Sequence, residues 1–215
     1  MFDDIAPNYD RFNAWASLGL HHQWRKALVK RIPEGARVLD IATGTGDVAF
    51  LVSPEHAVVG LDFAEKMLDQ ARAKDTAGRI HWMQGSADQL PFSDRSFGCI
   101  TSAFALRNLR SCLNQVFKEN FRVLKKDGKV LHMDFGRPSS GVFRWAHHLH
   151  LSFGVPIIGQ WLCGKRWPEG YLEQTIETFF EPADIEQRLR TAGFSSVTQT
   201  PLLWGIIRLY EGTKC

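Results

Sequence analysis

Ten residues constrain this chain more than any others: Asp40-Ile41-Ala42-Thr43-Gly44-Thr45-Gly46-Asp47-Val48-Ala49. A strand-like run from Arg37 to Ala42 leads into a glycine turn, and a helix follows with Asp47 favourable at its positive end. Strand, tight turn and helix in that order open a βαβ unit, which commits the chain to a mostly parallel sheet. Gly44 and Gly46 let the backbone turn sharply and approach a ligand closely, whether a pyrophosphate or the amino-acid part of a nucleoside cofactor. Read as G-x-G-x-x-A, the run also satisfies the dinucleotide fingerprint, so alone it does not choose between nicotinamide and another nucleoside.

The alternation continues. Strands are predicted at Ala57 to Asp62, Arg79 to Gln84, Cys99 to Ala103 and Lys129 to Phe135, with helices over Ala64 to Ala73 and Ser111 to Leu124. The second helix stops at Lys125-Lys126-Asp127-Gly128, whose cations suit a negative helix end and whose glycine suits a turn. A last helix, Pro182 to Ala192, ends at Gly193. Strands Val197 to Thr200 and Ile206 to Glu211 follow, and the LLWG between them is too short for a crossover, so the pair must be antiparallel. The expected fold class is therefore α/β, one domain over residues 1–215. Residues 1–30, amphipathic, and 137–180, aromatic and without a clean period, are expected to cover the C-terminal ends of the strands, where open α/β sheets bind ligands.

Composition removes several functions. Twenty-six Lys and Arg against 23 Asp and Glu give a net charge of +3, too small an excess to argue for a nucleic-acid partner. Four cysteines with no C-x-x-C pair indicate neither zinc nor a disulfide framework, and a reducing cytoplasm fits them. MFDDIAPNYD carries acids where a signal peptide would be basic. Leu149 to Cys163 is shorter than the ~20 residues of a membrane span and is interrupted by Gly154, Pro156 and Gly159.

Asp62, ending the second strand, is placed to accept bonds from both hydroxyls of a ribose, or else to cap the helix that follows. Discrimination comes from Asp40, from Gly85-Ser86-Ala87-Asp88-Gln89-Leu90-Pro91-Phe92 after the third strand, and from the reversed final strand. On these features the chain resembles the class I S-adenosylmethionine-dependent methyltransferases. On MFDDIAPNYDRFNAWASLGLHHQWRK, LDIATGTGD, VVGLDFAEKML, ADQLPFSDRSF, AFALRNL, RVLKKDGKVLHMDFGRP and YLEQTIETF it resembles the UbiE/COQ5 family of quinone-biosynthesis C-methyltransferases over nearly its whole length. The resemblance implies a Rossmann-like, seven-stranded, mostly parallel sheet with one antiparallel strand near the C-terminus and helices on both faces. It implies S-adenosyl-L-methionine as cofactor, held by Asp40, Gly44, Thr45, Gly46, Asp62, Phe63, Ser86, Ala87 and Ala103. Ser86 stands where relatives usually carry Asp or Asn, and Ala103 and Ala105 where they often carry Ser and Gly.

The implied reaction methylates a ring carbon of a polyprenylated, lipid-soluble quinol. A sulfonium methyl is already electrophilic, so the chain must align it, exclude water and favour phenolate over phenol at the acceptor. Arg107 is the candidate that stabilises the anion, because a guanidinium stays charged and cannot itself be the base. Asn108 is a second candidate for the same oxygen, with Tyr9 and Asp134 as further lining residues. The competing reading makes Arg107 the partner of Asp134 or a cap for the next helix. Of His147, His148 and His150, residues 147 and 150 share a face if the segment is helical, but no third ligand stands at metal spacing from that pair. Aromatics beside cations between Val142 and Trp167 suit peripheral contact with a membrane, the mouth of a prenyl pocket, or ordinary core. A homodimer is compatible with the sequence. Three alternatives stay open: methylation of a soluble phenol or polyketide, a non-catalytic cofactor-binding scaffold, and, least favoured, an NAD oxidoreductase.

Overall fold

The computed structural model describes residues 8–136, 138, 141–164 and 170–215, with the side chains of 9, 142, 143, 146, 147, 163, 171, 172 and 177 left aside. Tyr9 is therefore placed by its backbone alone. Seven strands form one sheet: β1 (Val38–Ile41), β2 (Val58–Asp62), β3 (Ile80–Gln84), β4 (Phe97–Ala103), β5 (Leu124–Phe135), β6 (Ser195–Leu202) and β7 (Ile207–Thr213). Their order is β3-β2-β1-β4-β5-β7-β6. Only β7 runs against the rest, pairing antiparallel with both β5 and β6. The LLWG segment makes the short 3-10 turn Leu203–Gly205 between them.

Both faces of the sheet are covered, so the central strands read as buried without interruption, every residue of β1 and β2 included. Side chains alternate between two cores. Leu39, Ile41, Ile100, Val130 and Tyr210 face α5 (Leu113–Val123) and α9 (Pro182–Thr191), while Val38, Cys99, Leu131, Met133 and Leu209 face α2 (His21–Val29) and α3 (Asp47–Val52). The sheet's outer strand β3 is flanked by α4 (Glu65–Lys74).

The C-terminal end of α5 departs from its sequence reading. Lys125 and Lys126 are exposed, and β5 already begins at Leu124. The pairing of β4 with β5 slips between Phe97 and Cys99, and the irregularity carries Asp127 at φ +62°. The cation at the helix end is instead Lys214, whose Nζ donates to the carbonyls of Phe121 at 2.6 Å and Leu124 at 2.8 Å. It neutralises the carbonyl end of α5 from ninety residues away, which no local pattern can show.

On the α5 face lies a buried polar trio. His132 Nδ1 is 2.7 Å from Ser102 Oγ and its Nε2 is 3.1 Å from Asn120 Nδ2, with the ring stacked on Phe117. A neutral ring satisfies both bonds, and burial lowers its pKa to about 3. The unfolded chain takes up that proton near pH 6.5 and the folded one does not, so this contribution is whole above pH 6.5 and is lost as pH falls toward 3. Asp40 shifts the other way and gives the opposite slope, so variant and parent must be compared. The stability cost of His132→Gln, measured by urea unfolding, is expected to shrink by about 3 kcal/mol between pH 7 and pH 4.

The remaining helices form a third cluster beyond the C-terminal end of β5. They are α1 (Tyr9–Ala16), α6 (Gly141–Leu149), a π-helical turn His150–Gly154, α7 (Val155–Cys163) and α8 (Tyr171–Glu177). Phe12, Leu151, Val155 and Ile176 pack together there against Phe135. Asn8 Nδ2 donates to the Leu162 carbonyl at 2.9 Å, and His150 Nε2 lies 2.8 Å from the Ala16 carbonyl oxygen, tying α1 to the helical run. Among the described residues no helix is long and apolar enough to cross a membrane.

Candidate active site

Strand order reverses direction between β1 and β4, and the crevice beyond the carboxyl ends of those two strands is where such a sheet binds ligands. Backbone strain collects there. Ala42 (φ +49°) and Phe104 (φ +62°), the residues just beyond β1 and β4, both hold left-handed conformations, as do Gly44 and Gly46.

The glycine loop is supported from below and from the side. Asp40 is fully buried and accepts hydroxyl protons from Thr43 at 2.6 Å and Thr101 at 2.7 Å. Burial pushes its pKa up to about 6. It shapes the loop from beneath rather than lining an open surface. From the side comes Trp82 of β3, anchored by its indole N–H to Asp75 at 3.1 Å. A methyl group on Gly46 would lie 2.5 Å from the Trp82 ring, and one on Gly60 would lie 2.6 Å from it. The ring fills the space that both glycines leave.

Asp62 accepts the backbone N–H of Gly44 at 2.7 Å on Oδ2 and that of Ala64 at 2.9 Å on Oδ1. Capping and ligand binding are thus not alternatives at this residue. The same two N–H groups that make it a cap also fix the orientation of its carboxylate at the end of β2. Phe63 beside it is exposed, and its carbonyl accepts from Gln84 at 3.1 Å. Thr45 is buried and donates its hydroxyl to Asp10 of α1 at 2.5 Å, while Asp10 also pairs with Lys74 at 2.7 Å. The N-terminal helix therefore rests directly on the glycine loop.

The loop after β3 is clamped to α5. Glu119 accepts the N–H of Leu90, and Arg122 donates to the carbonyls of Leu90 and Phe92 and to Glu119 itself. Ala87 is buried, and Ser86 is exposed with its hydroxyl bonded to Asp88.

Beyond β4, Arg107 reaches the Phe104 carbonyl at 2.7 Å and Asp134 at 2.8 Å, and its guanidinium lies over the Phe135 ring. Asp134, wholly buried, also accepts the backbone N–H groups of Arg107 and Phe135. Asp134 is thus a buttress for Arg107 and not a lining residue of the crevice. Asn108 follows with its backbone N–H on the Ala105 carbonyl, and Ala103 is half-buried at the end of β4. Among the described residues no group of three His, Cys, Asp or Glu could hold a metal, and His148 lies 3.6 Å from Glu173.

Sequence reasoning missed Arg25, Asp10 and Trp82. Arg25 of α2 is buried, with its Nη2 3.0 Å from Asp47. Trp82 was legible only through the two glycines it covers, and Asp10 through its place within FDDIAPNYD.

This arrangement has known relatives. A family model described as the ubiE/COQ5 methyltransferase family matches residues 1–214. The chain is 34% identical to a demethylmenaquinone methyltransferase of Protochlamydia amoebophila, over all of this chain and 93% of that protein. It is 36% identical to one of Deinococcus radiodurans, over all of this chain and 91% of that protein. At 29% identity it matches a mitochondrial 2-methoxy-6-polyprenyl-1,4-benzoquinol methylase of Dictyostelium discoideum, over all of this chain and 80% of that protein. Among solved structures, a SAM-dependent methyltransferase from Thermotoga maritima shares the fold, with a TM-score of 0.70 at 19% identity over 100% of this chain and 98% of that one. The glycine loop, the acidic strand end and the reversed β7 thus sit in a recognised setting, and the chain belongs to the ubiE/COQ5 methyltransferase family.

Proposed function

We propose that the protein transfers a methyl group from S-adenosylmethionine to a ring carbon of a polyprenylated quinol. The observation that carries the cofactor is Asp62: a carboxylate at the end of β2, fixed by Gly44 and Ala64 and adjoining the exposed Phe63. Gly44, Thr45 and Gly46 would hold the methionine end, Asp62 the ribose, and Phe63, Ser86 and Ala87 the adenine. Bound there, the cofactor supplies an electrophilic sulfonium methyl.

The chain's own residues then have two tasks. Arg107, locked by Asp134 and the Phe104 carbonyl, sets a fixed positive charge beyond β4 that favours the phenolate form of the acceptor. Asn108 hydrogen-bonds the same oxygen or the water that takes its proton. The helices α1 and α6 to α8 exclude bulk water from that end of the sheet.

A lipid acceptor and peripheral membrane contact are supported by the outer face of the α6–α7 run. Trp145, Leu149, Phe153, Ile157 and Trp161 recur every fourth residue and are all 44–69% exposed. Four-residue steps overshoot an α-helical turn by about 40° each. The π-helical turn at His150–Gly154 offsets part of that drift. Trp15 of α1 meets Trp161 edge-on at 6.1 Å and extends the ridge. Residues 141–164 contain no Asp or Glu, and Arg144 is their one Lys or Arg. An apolar ridge ending in tryptophans and free of anions suits the interface of an anionic membrane.

The triple variant Trp145→Ser/Ile157→Ser/Trp161→Ser tests this. It is expected to lose more than roughly tenfold in kcat/KM toward a long-chain quinol presented in anionic vesicles, while turnover of a short-chain, water-soluble quinol is retained. Equal losses on both substrates would contradict the membrane role.

A further inference from the structure

Arg25 comes from α2, outside the βα frame of the site, yet it is only 5% exposed and its guanidinium lies 5.5 Å from the centroid of the Phe104 ring. Nη2 is satisfied by Asp47, the residue following the glycine loop. Nε and Nη1 are buried without an acceptor among the described residues. Those two nitrogens carry three of the five N–H groups of a guanidinium. The other side chains in this condition, Arg107, Asn120, Arg188 and Arg208, leave one atom each. An unaccepted buried donor is costly, and a charged one more so. Donors left in this state are open to an acceptor brought by a ligand.

The place of Arg25 in the fold says which acceptor. Across the carboxyl edge of the sheet the candidate groups succeed one another: the Gly85–Phe92 loop at β3, Asp62 at β2, the glycine loop at β1 and Phe104 at β4. A nucleoside cofactor laid along that edge with its base at β3 and its ribose at Asp62 brings its far end to β1 and β4. That is where Arg25 stands, against Asp47 and Phe104. We propose that Arg25 binds the α-carboxylate of the cofactor's amino-acid end, a planar anion suited to a guanidinium. The inference rests on the reading that the chain binds S-adenosylmethionine. Asp47, paired with Arg25, supplies negative charge for the ammonium group of the same amino-acid end. Asp62 and the β3 loop then select the nucleoside, and Arg25 selects the amino acid attached to it.

Calorimetry on the full chain tests the assignment with three ligands: S-adenosylhomocysteine, its decarboxylated analogue and 5′-methylthioadenosine. The parent is expected to bind S-adenosylhomocysteine roughly 100-fold more tightly than the decarboxylated analogue. Arg25→Gln is expected to erase that preference, losing S-adenosylhomocysteine affinity while binding the other two ligands within about threefold of the parent. Arg25→Lys is expected to fall between them. If Arg25→Gln weakens all three ligands alike, or none, Arg25 has a structural role and the inference fails. Should that variant not fold, the parent decides alone, since equal affinity for S-adenosylhomocysteine and its decarboxylated analogue overturns the assignment. Failure of the parent to bind any of the three would instead reject the cofactor reading.

Discussion

Arg107→Ala is expected to lower methyl transfer by about two to three orders of magnitude, the usual cost of deleting one fixed donor to a developing oxyanion. Binding of S-adenosylhomocysteine is expected to stay within a few-fold of the parent. Lost stability is the obvious confounder. Asp134 is wholly buried, and removing its guanidinium partner leaves a charge held, among the described residues, by the N–H groups of Arg107 and Phe135. Breaking a buried pair in this way costs roughly 3–5 kcal/mol. The double variant Arg107→Ala/Asp134→Ala removes the orphaned charge as well. It is expected to recover much of the stability and none of the turnover. Recovery of turnover along with stability would show that Arg107 serves the fold and not the acceptor.

The second large effect concerns the glycine loop. Gly46→Ala places a methyl 2.5 Å from the Trp82 ring and 2.9 Å from Phe50, at a backbone φ of +88°. Left-handed backbone costs an alanine about 1–2 kcal/mol and overpacking about 1–3 kcal/mol. A total near 2–5 kcal/mol, with loss of cofactor binding, is therefore expected. Gly60→Ala meets the same ring at 2.6 Å, but its φ lies outside the left-handed region. Shrinking the ring separates the two causes. Trp82→Leu is expected to rescue the clash component of Gly60→Ala almost fully and that of Gly46→Ala only in part, since backbone strain is untouched. Urea unfolding of the five variants reads this directly, and equal rescue at both glycines would contradict it.

The fold was largely legible in the sequence because each βα step carries a local signature: an apolar run, a glycine or acidic strand end, and a helix with a charged first turn. The reversed β7 was legible for a geometric reason, since LLWG cannot carry a crossover. Legibility stopped where one element is completed by another far away. Lys125 and Lys126 looked like the cap of α5, and Lys214, just beyond β7, took the position because its backbone pairs with Asp127 and Gly128 beside the helix end. The α6–α7 run showed no clean period because a π-helical turn interrupts it before Pro156 and shifts the face that the 3.6-residue repeat would follow.

The site divides in the same way. Asp40, Gly44, Gly46 and Asp62 stand at strand ends that the pattern itself marks, so their juxtaposition follows from the topology. Arg107 carried two readings, and its pairing with Asp134 required the β4–β5 register to be known. Arg25 lies in the N-terminal stretch that resembles the family but carried no role of its own, because in sequence WRKALVKR is an ordinary amphipathic helix with a surplus of cations. Its burial depends on how α2 docks against α3, which a single sequence does not display.

The central claim is carbon methylation of a lipid quinol, and the position of the transferred methyl tests it most directly. The protein would be incubated with S-adenosylmethionine carrying a deuteriated methyl group and, separately, with a polyprenylated naphthoquinol and a polyprenylated benzoquinol in vesicles. Tandem mass spectrometry of the product is expected to find one labelled methyl on a ring carbon of at least one of them. Label on a hydroxyl oxygen, or no transfer to either quinol by protein that binds S-adenosylhomocysteine, would contradict the account.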